Sequence, residues 1–87
     1  MTAQTTDPTI SAVDVINLDA EKHDVNDLSQ LIRAIRCKPS GTGGAVKIRT
    51  LNGFDRVTEI ASGETLMIGA TRVWATGTTA TLLEGLV

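Results

Sequence analysis

The stretch AVKIRTLNGFDRVTEIA, Ala45 to Ala61, decides the fold class of this chain. In its first half, apolar side chains alternate with polar ones that include Lys47 and Arg49. A period of two is typical of a β-strand that is buried on one face. Asn52-Gly53 is a strong hairpin signal, because type I′ turns need positive φ at both central positions. The stretch therefore predicts two antiparallel strands joined by a tight turn.

The same short-strand pattern extends on both sides of this hairpin. Turn residues recur about every eight to ten positions, as in the glycine-rich segment 39–44 and at Gly63. Short strands with regular turns are typical of small sandwiches and barrels. We predict a mainly β fold, a small antiparallel β-sandwich or barrel of about six short strands, in one domain over residues 12–87. Residues 1–11 are polar and interrupted by Pro8, which predicts a flexible N-terminal arm.

The segment that ends at Pro39 allows two interpretations. Its apolar residues recur at helical spacing, but its last part suits a strand, because proline disfavours helix at the residue before it. We predict a short helical or turn segment near residues 20–30 and then a strand over 31–38. A helix over 24–36 remains the alternative.

Composition limits the classes of function. The 87 residues carry a net charge of −2, and nucleic-acid binding is not expected, because it depends on Lys and Arg contacts to phosphates. No apolar run is long enough to span a membrane. A single cysteine, Cys37, fits folding in a reducing cytoplasm. Aromatic residues are only 2% of the chain, so the core is thin and oligomerisation is expected to supplement it.

The sequence offers little for catalysis. His23 has Asp24 and Asp27 nearby, but one histidine with two carboxylates is a weak metal set. Cys37 has no candidate base close to it in sequence, and the loop over 40–44 fits no phosphate-binding motif. We therefore predict no enzymatic activity, no cofactor and no metal. The carboxylates between residues 14 and 27 are expected to form a solvated acidic stretch.

Trp74 is the one tryptophan and lies on the opposite face of its strand from Val73. Either face could be the core, so Trp74 is either a core side chain or an interface anchor. The threonine run 76–81 is expected to form a turn, and the last strand suits pairing with a neighbour. The predicted protein-interface residues are Arg72, Trp74, Thr76, Thr78, Leu86 and Val87.

Six pieces of the chain together form a recognisable layout, and the most specific is the block RVWATGTTAT. The layout resembles the head spike base proteins of phages and gene-transfer agents, over about residues 24–87. The matching pieces are Asp24 to Leu28, Arg33-Ala34, Gly41 to Gly44, Val46 to Ile48, Thr58 to Gly63, and Arg72 to Thr81.

This resemblance implies a non-enzymatic virion structural protein that decorates the capsid or forms the base of a head spike or fibre at a capsid vertex. It implies a location on the capsid surface after synthesis in the host bacterial cytoplasm. The implied partners are the major capsid protein, a head fibre protein or both. A homo-oligomer is expected, with a pentamer favoured over a trimer. The alternative is a tail-associated or receptor-binding β-module that recognises glycans, for which only Trp74 and Phe54 could stack on sugars.

Overall fold

The computed structural model describes residues 14–87, and the predicted arm over residues 1–11 lies outside them. The described part contains seven strands in two antiparallel sheets, in the orders β1-β7-β2-β5 and β4-β3-β6. The predicted small antiparallel sandwich is confirmed, with one strand more than the about six expected. The elements are β1 (Val15–Asn17), α1 (Leu18–Glu21), β2 (Ala34–Cys37), β3 (Gly44–Thr50), β4 (Asp55–Ile60), β5 (Thr65–Leu66), β6 (Ala70–Val73) and β7 (Leu83–Leu86).

An aliphatic core lies between the two sheets. The first sheet contributes Ile35 and Leu83, and the second contributes Ile48 and Val73, all of them buried. Burial of one such side chain is worth about 1.5–3 kcal/mol, so the core depends on many small contributions. Cys37 is also fully buried in this core.

The hairpin that joins β3 to β4 has a different turn from the predicted type I′. The Thr50 N–H donates to the carbonyl oxygen of Phe54, and the Gly53 N–H donates to the carbonyl oxygen of Thr50. Gly53 has a φ of 87°, whereas Asn52 has no positive φ. These features define a three-residue loop with glycine at the left-handed position, which is a common hairpin connection. The two strands form as predicted.

The segment before β2 is mostly loop. Only α1 is helical, and the Asn17 side chain caps it by accepting the Ala20 N–H at 3.3 Å. The helix considered over 24–36 does not form, and the predicted strand over 31–38 shrinks to β2. Val25 and Leu31 are 70% and 62% exposed, so the helical spacing does not define a buried face.

This loop instead covers the edge of β6. The backbone N–H groups of His23, Leu28 and Ile32 donate to the carbonyl oxygens of Val73, Thr71 and Ala70 at 2.9, 2.9 and 3.1 Å. An uncovered edge would present these carbonyl groups to other chains. The opposite edge of the same sheet, β4, pairs with β3 on one side only.

The C-terminal strand pairs inside the chain. β7 lies between β1 and β2, so both of its sides are occupied. At its centre is Gly85, where an added Cβ would lie 2.6 Å from Cγ2 of Ile32. Glycine at position 85 therefore allows the loop before β2, which carries Ile32, to pack closely against β7. The last residue, Val87, exchanges backbone hydrogen bonds with Asp14.

Candidate interface surface

The threonine run after β6 acts as a hydrogen-bonding extension of that strand. The Thr78 hydroxyl oxygen accepts the Lys47 N–H at 3.0 Å, and the Thr79 hydroxyl oxygen accepts the Ala45 N–H at 2.9 Å. Beyond the end of β6, threonine hydroxyl oxygens thus accept the β3 backbone N–H groups that backbone carbonyl groups would accept if β6 were longer. Thr78 is buried, so its hydroxyl is held within the chain.

The acidic stretch is mostly exposed, as predicted, but Asp24 and Asp27 are also bound to this region. The Asp24 carboxylate accepts the backbone N–H of Thr76 at 2.8 Å and its hydroxyl at 2.5 Å. These two hydrogen bonds favour the ionised form and lower the pKa of Asp24. Asp27 accepts a hydrogen bond from Arg72 Nε at 2.9 Å. The loop is therefore fixed to β6 by side chains as well as by its backbone.

The outer face of the β4-β3-β6 sheet carries a cluster of three cations around one indole. Val73 points into the core and is completely buried, so Trp74 lies on the outer face and the core alternative is excluded. Lys47 Nζ lies 4.5 Å from the centroid of the Trp74 ring, and the guanidinium carbons of Arg72 and Arg49 lie at 4.9 and 5.3 Å. These distances are within the range of cation–π attraction. We call these four residues the tryptophan–cation cluster.

Two of the three cations have carboxylate partners. Arg49 and Arg72 are directly opposite each other in the strand register, an arrangement that is unfavourable for like charges. Asp55 offsets the first charge and Asp27 offsets the second, each with an N–O distance of 2.9 Å. The hydrogen bond to Arg49 lowers the pKa of Asp55 and raises that of the guanidinium. Lys47 makes no ion pair with any residue between 14 and 87.

The indole N–H of Trp74 is also unsatisfied. Its Nε1 atom is buried and has no hydrogen-bond acceptor within the described part of the chain. A buried donor without an acceptor costs about 1–3 kcal/mol. Among residues 14–87, the cluster thus contains one cation without an ion pair and one N–H donor without an acceptor.

The structure separates the six residues predicted as interface. Arg72 and Trp74 come together in the cluster, and Thr76 lies beside it, exposed, with its hydroxyl bound to Asp24. Thr78 is covered within the chain, as is Val87, which is 8% exposed. Leu86 belongs to the other sheet. Lys47 and Arg49 were not among the predicted residues, although their alternation with buried apolar residues places both on the outer face.

The described residues hold no cluster of potential metal ligands, and the one histidine is engaged within its own loop. Nδ1 of His23 accepts the backbone N–H groups of Val25 and Asn26 at 2.9 and 3.0 Å, so this nitrogen stabilises its own loop. Residues 14–87 contain no group of three or more potential metal ligands. Within the same residues, no helix has the length and apolar character needed to cross a bilayer.

Comparison with known proteins finds a similarity to a chain of a capsid. No protein-family model matches the chain, and no curated protein matches it. Among solved structures, it is similar to a chain of "Capsid of native GTA particle computed with C5 symmetry", where GTA denotes a gene-transfer agent. The two chains are 30% identical with a TM-score of 0.77, over 97% of this chain and 93% of the other. The chain therefore belongs to the capsid-related proteins of gene-transfer agents and phages, and is a virion structural protein.

Proposed function

We propose that this protein decorates the capsid or forms the base of a head spike or fibre at a capsid vertex. The observation that carries the proposal is the 30% identity to a capsid chain over nearly the full length of both chains. The small antiparallel sandwich agrees with this role, because the similar capsid chain has the same fold. The alternative of a glycan-recognising module has less support, since three cations surround the Trp74 ring.

We propose a homo-oligomer, with a pentamer favoured over a trimer. The C5 symmetry used for the similar capsid structure supports five copies around a vertex. Closed rings also fit a small domain, because each copy adds a modest interface and the ring closure multiplies its effect. The proposed partners are the major capsid protein, a head fibre protein or both.

The outer face of the β4-β3-β6 sheet is the proposed contact surface. Arg72 and Trp74 remain the principal candidates, because Trp and Arg are enriched among the residues that dominate binding energy. Exposed Val57 extends the same face with an apolar side chain that is 64% accessible. Thr76 continues the surface beyond β6.

Light scattering coupled to size-exclusion chromatography tests this proposal. We expect a discrete species near five times 9.2 kDa, and a species near three times that mass would select the trimer. Trp74→Ala should reduce the oligomer, whereas Phe54→Ala should not. Phe54 is a matched control, because it is the chain's other aromatic residue and is 55% exposed at the hairpin tip. A wild-type chain that stays monomeric at micromolar concentrations would contradict self-assembly.

A further inference from the structure

The tryptophan–cation cluster concentrates positive charge on an acidic protein. Three of the eight Lys and Arg residues of the chain lie around one indole, although the net charge is −2. Within the cluster, Lys47 is the cation that makes no ion pair with any residue from 14 to 87, and its neighbour across the ladder on β4 is Val57. In this part of the chain, the surface therefore presents one cation without an ion pair beside an exposed aliphatic side chain.

The indole adds a second unmet requirement at the same place. Trp74 Nε1 has no acceptor in the part of the chain that the structure describes, while Lys47 Nζ is 4.5 Å from the ring of the same residue. A carboxylate is suited to both groups, because it accepts several hydrogen bonds and carries the opposite charge to the ammonium. Because Nε1 is buried, the Lys47 side chain must move aside before a carboxylate oxygen can accept the indole N–H, while the other oxygen stays with the ammonium.

We propose that the cluster binds an Asp or Glu carboxylate in an acidic segment of a neighbouring virion subunit. This inference rests on the proposed function and names the chemistry of its partner. Lys47 and Trp74 hold the carboxylate, and Val57 contacts the aliphatic residues beside it. Arg49 and Arg72 remain bound to their own carboxylates and position the indole between them.

The surroundings of the cluster favour a protein carboxylate over a nucleic acid. Asp27 and Asp55 are bound at its borders, and Glu59 lies on the same outer face of β4. A phosphate backbone would bring successive negative charges against these carboxylates. A single acidic side chain between aliphatic residues avoids that repulsion and reaches the unpaired cation.

Trp74 provides a direct reporter of this contact, because the chain has one Trp and no Tyr. The experiment titrates the full-length protein with the peptide acetyl-GVEVG-amide while the Trp74 fluorescence is recorded. We expect a saturable change with a Kd on the order of a millimolar, and binding should weaken as salt is added. The matched peptide acetyl-GVQVG-amide should give no saturable change.

Two variants assign the contact to one side chain. Lys47→Met keeps the aliphatic stem and should raise the Kd about fivefold, as expected for loss of one exposed ion pair. Lys22→Met is the matched control and should leave the Kd unchanged, because Lys22 makes no ion pair among residues 14–87 and lies outside the cluster. Equal effects of the two substitutions, or no response to the acidic peptide, would overturn the proposal.

A parallel titration with oligothymidylate separates the two kinds of anion. Binding of the oligonucleotide more tightly than the acidic peptide would also overturn the proposal. Because the proposed ring buries the same face, the titration is run on the monomer, at protein concentrations below those at which light scattering detects the ring. A chain that forms the ring at higher concentration but ignores the acidic peptide as a monomer refutes the carboxylate site alone, whereas a chain that binds the peptide through Lys47 but never forms a ring refutes the ring alone.

Discussion

Substitution of Thr78 by valine tests the structural role of the threonine run. Valine has nearly the same shape, so the change removes the hydroxyl oxygen and preserves most of the packing. That oxygen accepts the Lys47 N–H of β3 at 3.0 Å, and the residue is only 8% exposed. The substitution therefore leaves a partly buried backbone donor without its acceptor.

The expected loss follows from that geometry. An unsatisfied backbone donor in a site sheltered from water costs about 1–3 kcal/mol, and the added methyl group recovers only a small part of this. For a domain of this size, each kcal/mol lowers the melting temperature by about 4–8 °C. Thr78→Val should therefore reduce the free energy of unfolding by about 1–3 kcal/mol.

Urea unfolding followed by Trp74 fluorescence measures this loss, at one fixed protein concentration so that oligomerisation contributes equally. Thr58→Val in β4 is the matched control, because the Thr58 side chain makes no hydrogen bond to residues 14–87 and valine suits a strand. The free energy of unfolding of the control variant should stay within about 0.5 kcal/mol of the wild-type value. If Thr78→Val unfolds at the same urea concentration as the control, the hydroxyl does not support β3 and the reasoning is wrong.

Three further substitutions test other parts of the fold. The Thr76 hydrogen bonds lower the folded-state pKa of Asp24, so its stabilisation is present above the unfolded-state pKa and disappears as the pH falls through the lowered value. Asp24→Asn should consequently show a smaller drop in urea midpoint than wild type on acidification below about pH 4. Gly85→Ala places a Cβ 2.6 Å from Ile32 and should destabilise the fold by about 1–3 kcal/mol or more in the same urea assay. Leu82 has a φ of 55°, a left-handed conformation that asparagine tolerates better than leucine. Leu82→Asn should therefore raise the melting temperature in calorimetry, and an unchanged melting temperature would argue against backbone strain at this position.

Short-range sequence patterns predicted the strands well and the connections poorly. Alternation in β3 predicted one buried face, because side chains of a strand point to opposite faces in turn, and the buried face carries Val46 and Ile48. The same rule could not choose the face of Trp74, because Val73 and Trp74 are both apolar. Which of the two points into the core depends on the register of β6 with β3. Asn52-Gly53 located the hairpin, but its loop length depends on which residues pair across it.

The loop and its acidic residues could not be predicted because their partners are distant in sequence. Asp24 binds Thr76 and Asp27 binds Arg72 across 52 and 45 positions, respectively. Helical spacing before Pro39 was misleading for the same reason, because Leu28 and Ile32 are buried by packing against β6 rather than by a helix. The tryptophan–cation cluster likewise forms only when β3 and β6 become neighbours.

A cryo-EM map of particles that contain this chain tests the central claim most directly. The account predicts density for the chain on the capsid, with the outer face of the β4-β3-β6 sheet buried against a neighbouring subunit and Trp74 inside that contact. A map in which this face is exposed to solvent, or in which the chain is absent from the particle, would contradict it.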